Sequence, residues 1–273
     1  EEKSKETGMP IKFGGTTNVT LLTPDKFDFL DEHRLRFLLS IDGTQEHHDR
    51  HRKFKNGKGS WAIIDKNATE ILKRWPDQQV RFSYSVENLD GMMEDLNYLY
   101  DKGFHDIVYS PVSEGNWTDE RKAKLIEVWA KIADWYIAKR KAGQPIRLKF
   151  LEDGCKSLNG LKRGANPPCG AGRGYIGITT DGSIYPCHRF NKFDDKRPWY
   201  EREVCLGHID YGILNQSWRE RFTKWEADKE LPESCHSCKA YLLSCSGGCW
   251  ATNWDVCGSL EKEPARPSSS RGE

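Results

Sequence analysis

The sequence predicts an α/β protein in two parts, and three observations carry that reading. Over residues 1–145, apolar runs of strand length alternate with segments of helical period. All 9 cysteines of the 273-residue chain lie at or after Cys155. Residues 175–185 (YIGITTDGSIY) spell a β-hairpin, with Asp181-Gly182 as its tight turn.

Residues 11–22 read as a strand and its exit loop. Thr23-Pro24-Asp25 reads as a helix start, with Thr23 as N-cap and Pro24 at the first helical position, so a short helix is expected over 24–33. Leu35 to Ile41 is a near-continuous apolar run, as in a strand buried on both faces. A polar stretch, 44–59, follows and is expected to be loop. Ile64, Ala68, Ile71 and Trp75 then mark one face of a helix from about 60 to 74. Val80, Phe82, Tyr84 and Val86 alternate as a strand does. A helix over 90–102 should end on Gly103, and Asp106 to Tyr109 is another short strand. The longest helix is expected over 119–141, capped by Thr118, with Leu125, Trp129, Ile132 and Tyr136 on one face. Strand and helix at this spacing mean βαβ units and a parallel sheet, open or part of a barrel. A ligand would sit at the loops after the strands' C-terminal ends in either case.

Lys plus Arg total 42 and Asp plus Glu 41, so the formal charge is only +1, which argues against a general nucleic-acid binder. No run approaches eighteen apolar residues, so no membrane span is expected. Glu1 to Pro10 has no apolar stretch of the signal-peptide kind, and a cytoplasmic setting is expected. Residues 261–273 read as a flexible tail.

The cysteines fall as Cys155, Cys169, Cys187 and Cys205, then Cys235-x2-Cys238-x6-Cys245-x3-Cys249, then Cys257. Disulfides fit poorly with an α/β half of intracellular type. Zinc and iron–sulfur clusters stand level on spacing, since both take sets of four thiolates. Eight cysteines make two such sets and leave one over.

Taken together, this half resembles the SPASM domain of radical S-adenosylmethionine (SAM) enzymes. Twelve residues separate Cys169 from Gly182, and four more separate Gly182 from Cys187, as in that family. The later cluster departs by one residue, with six rather than five between Cys238 and Cys245. Cys169-Gly-Ala-Gly172, Tyr185-Pro-Cys-His-Arg-Phe190, Leu206-Gly-His-Ile209 and Cys245-Ser-Gly-Gly-Cys249 resemble stretches of the same family. The first half agrees: Thr17-Asn18 with Thr20-Leu21-Leu22, Ser40-Ile-Asp-Gly43, His48-Asp49 and Arg52 are similar to the middle of a radical SAM barrel in peptide-modifying members. The Cys-x3-Cys-x2-Cys loop and the Gly-Gly-Glu motif of such barrels are not in this sequence. The resemblance therefore implies a partial (β/α) barrel, about strands three to six, over 1–145, followed by a SPASM domain over 146–260 with the β-hairpin.

By the same resemblance, Cys155, Cys169, Cys187 and Cys249 would ligate a first auxiliary 4Fe–4S cluster, and Cys235, Cys238, Cys245 and Cys257 a second. Cys205 is the spare, expected to be packed. Ser40, Asp42 and Arg52 would lie at the SAM site, Asp42 more as a loop cap than a contact. His47, His48 and His51 invite a metal reading that no cysteine or carboxylate set completes. His188 stands where sulfatase-maturating members carry an Asp proton acceptor, and could itself act as a base or bond a cluster sulfur. That swap favours relatives installing thioether or carbon–carbon links. In the complete enzyme, cleavage of SAM would yield a radical that takes a hydrogen from a peptide or protein side chain. The auxiliary clusters would accept the leftover electron or bind substrate, with flavodoxin or ferredoxin as reductant. This chain alone is expected to be inactive. The rival reading is a non-enzymatic zinc scaffold that recognises a protein partner.

Overall fold

The computed structural model describes residues 2–9, 14–112, 115–158, 169–191, 195–225 and 248–260. The chain divides into two compact units, Glu1–Asp153 and Gly154–Glu273. The division falls after Asp153, later than the expected 145. Among the described residues no helix is long and apolar enough to cross a membrane.

In unit 1 a short helix, α1 (Glu2–Thr7), precedes β1 (Gly14–Thr17), α2 (Pro24–Glu32), β2 (Arg36–Ser40), α3 (Gln45–His51) and α4 (Trp61–Arg74). Then come β3 (Gln79–Tyr84), a short 3-10 helix (Val86–Gly91), α5 (Met92–Lys102), β4 (Asp106–Pro111), α6 (Asp119–Lys141), β5 (Arg147–Leu148) and α7 (Lys149–Leu158), which begins in unit 1 and ends in unit 2. The five strands are parallel and lie side by side in chain order. That order never reverses. With right-handed crossovers, a sheet wound in one direction receives its helices on one face and curls as a barrel does. This answers the question that strand spacing left open.

One apolar core confirms the layering. Leu39, Val80, Phe82, Ile107, Tyr109 and Leu148 from the strands pack with Phe27, Ile64, Ala68, Ile71, Met92, Leu96, Leu99 and Ile132 from the helices. Each Ile, Leu or Phe so buried is worth roughly 1.5–3 kcal/mol. α4 buries Ile64, Ala68 and Ile71, the face expected of it. α6 keeps its expected bounds, and Thr118 Oγ1 accepts from the Arg121 amide at 3.3 Å. Gly103 ends α5 with φ +114, a left-handed turn that glycine adopts without strain.

Four local expectations are corrected. Thr23 flanks α2 in an extended conformation but makes no cap bond, because its hydroxyl serves the Asp25 carboxylate instead. Val86 leaves the strand and opens the 3-10 helix. The polar stretch after β2 holds α3, whose Arg50 reaches the Glu87 carbonyl at 2.9 Å and Asn88 Oδ1 at 2.7 Å. On α6, Val128 and Ile132 are the buried residues, while Leu125, Trp129 and Tyr136 are only partly covered.

Unit 2 is built differently. Its antiparallel sheet runs β6 (Gly177–Ile178), β7 (Ser183–Tyr185), β8 (Gly207–His208) and β9 (Gly212–Ile213). The expected hairpin is β6–β7, with Gly182 at φ +86 in its turn. Helices α8 (Gln216–Thr223) and α9 (Trp250–Cys257) follow. Its core is aromatic, with Tyr185, Phe190, Phe222, Trp225 and Trp250 packed around Ala171, Cys187 and Cys205.

Candidate iron–sulfur site and sheet-end cluster

The hairpin delivers Cys187 to the end of β7. A Cβ on Gly177 would stand 2.8 Å from the Cys187 carbonyl carbon, so glycine lets the first strand close on that cysteine. Cys187 is buried, and burial pushes its thiol pKa up. The backbone amides of Arg189 and Phe190 act the other way and favour the thiolate, while the neighbouring Cys169 and Cys249 thiols oppose a second negative charge. Cys169 and Cys249, both free, open to solvent and distant in sequence, thus come within electrostatic reach of Cys187.

That arrangement fits a cluster. Each thiolate of a cubane binds a different iron, so its ligands need not close on one point as they do around zinc. Among the described residues no three His, Cys, Asp or Glu side chains close on a single ion. Cys155 lies exposed on α7. Cys257 is half-buried at the end of α9. Cys235, Cys238 and Cys245, expected in the second set, lie outside the described residues. Cys205 is buried, its thiol turned to the carbonyls of Gly207 at 3.4 Å and Ile184 at 3.6 Å.

His188 is exposed beside Cys187, and its Nδ1 stands 2.6 Å from Tyr175 Oη. The phenol oxygen and the imidazole nitrogen thus lie within hydrogen-bond distance. Tyr175 is a partner that sequence reading missed; its place in the hairpin's first arm was the available signal.

In unit 1 the strand ends gather Ser40, Asp42 and Arg52. Ser40 closes β2 and is 5% exposed. Arg52 forks onto Asp42, Nε to Oδ2 at 2.5 Å and Nη2 to Oδ1 at 3.1 Å. The Ser83 amide also donates to Asp42 Oδ1 at 2.9 Å. Asp42 therefore ties β2 to β3 and occupies Arg52.

The three histidines part company. The Asp42 amide donates to His48 Nδ1 at 3.1 Å, which leaves Nε2 as the donor to Ser60 Oγ at 3.0 Å. Burial, and secondarily the Arg52 charge, lower the His48 pKa to about 4, with Asp42 and Asp49 opposing. His47 pairs with the buried Asp95 at 2.9 Å, and His51 meets Ser85 Oγ at 3.1 Å. Asp95, on α5, also accepts from the Thr44 amide at 2.8 Å. A Cβ on Gly43 would fall 2.1 Å from its carboxylate, so Gly43 admits Asp95 to the loop. Sequence reading missed Asp95, which looks like an ordinary polar helix residue.

The sheet and the cysteine set define the class, a singly wound α/β unit followed in the chain by an iron–sulfur unit. Residues 169–239 match the SPASM family, an iron-sulfur cluster-binding domain. The chain is similar to a cysteine-type anaerobic sulfatase-maturating enzyme of Clostridium novyi, 25% identical over 248 residues, covering 85% of this chain and 62% of that one. It is also similar to a serine-type anaerobic sulfatase-maturating enzyme of Bacteroides thetaiotaomicron, 30% identical over 98 residues, 36% of this chain and 24% of that one. Among solved structures, "Native anSMEcpe with bound AdoMet" matches with TM-score 0.72 at 18% identity, over 96% of this chain and 70% of that one. Streptococcus suis SuiB bound to S-adenosylmethionine matches with TM-score 0.58 at 15% identity, over 96% and 60%. The chain thus spans about three-fifths of the length of the Clostridium novyi relative. It carries a SPASM domain and shares the fold of radical SAM/SPASM maturases, as its motifs led us to expect.

Proposed function

We propose that this chain is the substrate-side and auxiliary-cluster portion of a radical SAM enzyme that modifies a side chain of a peptide or protein. The carrying observation is the convergence of Cys169, Cys187 and Cys249 inside a matched iron–sulfur domain. Two auxiliary 4Fe–4S clusters are the proposed complement, the first on these three cysteines with Cys155 as candidate fourth ligand, the second on Cys235, Cys238, Cys245 and Cys257. When bound, such clusters supply one-electron acceptors whose potential the protein tunes through burial and hydrogen bonds to sulfur.

The chain's own residues do the rest. The amides of Arg189 and Phe190 stabilise the Cys187 thiolate. His188, exposed beside Cys187 and bonded through Nδ1 to Tyr175, would accept on its unprotonated ring nitrogen the proton that a substrate loses. Ser40 supplies a hydroxyl at the strand ends, and the Asp42–Arg52 pair keeps the adjoining loop in place. The reaction is thioether or carbon–carbon link formation or side-chain oxidation. SuiB bound to its precursor peptide and anSMEcpe bound to a peptide are fold neighbours that support a peptide partner. A flavodoxin or ferredoxin would supply electrons in a cytoplasmic setting.

The 273 residues hold no Cys-x3-Cys-x2-Cys, so no iron is left open for SAM by that motif. Incubation of the 273-residue chain with dithionite and SAM should yield no 5′-deoxyadenosine above a protein-free control. The chain joined to a segment carrying that motif should yield it, and should change the mass of a peptide substrate. Turnover by the 273 residues alone would refute the division of labour.

A further inference from the structure

Residues alternate across β2, β3 and β4. Leu39, Val80, Phe82, Ile107 and Tyr109 lie in the core with the helices. Ser40, Arg81, Ser83, Val108 and Ser110 therefore occupy the opposite face of the sheet. The register sets Ser40 beside Arg81 and Arg81 beside Val108; one pair further along, Ser83 stands beside Ser110.

Two arginines serve this face, and they differ. Arg52 reaches its C-terminal end, with Nη2 at 3.5 Å from Ser83 Oγ, and is neutralised by Asp42. Arg81 is half-buried in the middle of β3. Among the described residues its guanidinium has no hydrogen-bond or ion-pair partner, and neither the Ser40 nor the Ser110 hydroxyl has a hydrogen-bond partner. A guanidinium offers five donors in a planar fork that matches a carboxylate. Partial burial without a counter-charge is unfavourable, and an incoming anion would relieve it. The neighbouring hydroxyl of Ser40 adds a donor on the same side.

We propose that Arg81, with Ser40 beside it, is a carboxylate-binding position on this sheet face. Two ligands of the proposed reaction carry that group, the methionine end of SAM and an acidic side chain of the peptide substrate. Their identity rests on the proposed function; the carboxylate preference does not.

The test follows the arginine Nε–H resonances of the 15N-labelled 273-residue chain, with the Arg81 signal assigned by its loss in Arg81→Lys. Four probes are titrated: SAM, its decarboxylated form, a blocked tetrapeptide with one Glu, and the same peptide with Gln. The expected result is a saturable shift of the Arg81 signal with at least one carboxylate probe, tenfold weaker or absent with its neutral counterpart. A shift with SAM assigns the cosubstrate, and a shift with the Glu peptide assigns the substrate. If Arg81→Lys does not fold, Arg81→Gln or through-bond spectra of the unsubstituted chain assign the signal. No shift, or equal shifts with the neutral probes, overturns the proposal. Iron content is read separately, so failure here with iron present leaves the proposed function standing.

Discussion

Unit 1 and unit 2 hold themselves together by different means. Unit 1 has a parallel sheet whose central strands run five or six residues, and one core that reaches every strand but the edge strand β1. It has no cysteine. Unit 2 has strands of two or three residues and a smaller core of aromatic rings around Cys187 and Cys205. Strands that short bury little, and domains with small cores commonly lean on metals or disulfides. Its described cysteines are all free thiols. The contrast teaches where to look for the source of stability: apolar burial in unit 1 and, on the proposed function, thiolate–iron bonds in unit 2.

The sharpest way to break this comparison is to remove a thiolate. Cys187→Ala should lose about four irons from a total of about eight, one cubane's worth. Because metal binding and folding are coupled, the tryptophan near-UV signal of unit 2 should weaken while the helical far-UV signal of unit 1 persists. Iron quantitation and circular dichroism on one sample check both.

Phe82→Ala is the mirror image. Phe82 is fully buried in β3, and such a truncation costs about 3–5 kcal/mol. Denaturant melts should show unit 1 destabilised by that amount with iron content unchanged.

A pH series sharpens the account of unit 1. The folded pKa of His48 is lowered from 6.5 to about 4. Neutral His48 therefore stabilises the fold above pH 6.5, and that contribution is lost as pH falls from there through about 4. The loss amounts to up to about 3 kcal/mol. Asp95, whose pKa burial raises, works in the opposite sense near the lower end of the window. Melts of unit 1 from pH 7 to 4.5 should show the decline, and a His48→Gln variant should flatten it. The smallest effect is Thr118→Ala, which removes the α6 cap and should cost about 1 kcal/mol.

Much of unit 1 was legible because its signals are local. The Thr118 cap, the Gly103 turn and the Ile64–Ala68–Ile71 stripe depend on residues within a few positions of each other. α3 was not legible, since Gln45–His51 has no apolar period and is held by tertiary bonds such as Arg50 to Asn88. Nor was the Asp42–Arg52 fork, which depends on the loop folding back. In unit 2 the hairpin and the cysteine spacing were readable, whereas β8 and β9 are too short to leave a pattern. His188 pointed toward linkage-forming relatives. The reported matches include sulfatase-maturating enzymes as well as SuiB, at TM-scores of 0.72 and 0.58 against this fold.

The most direct measurement of the central claim is the iron and acid-labile sulfide content of the 273-residue chain after anaerobic reconstitution. Two cubane clusters predict about eight irons and about eight sulfides per chain. Stoichiometric zinc without sulfide would contradict the account and favour a zinc scaffold.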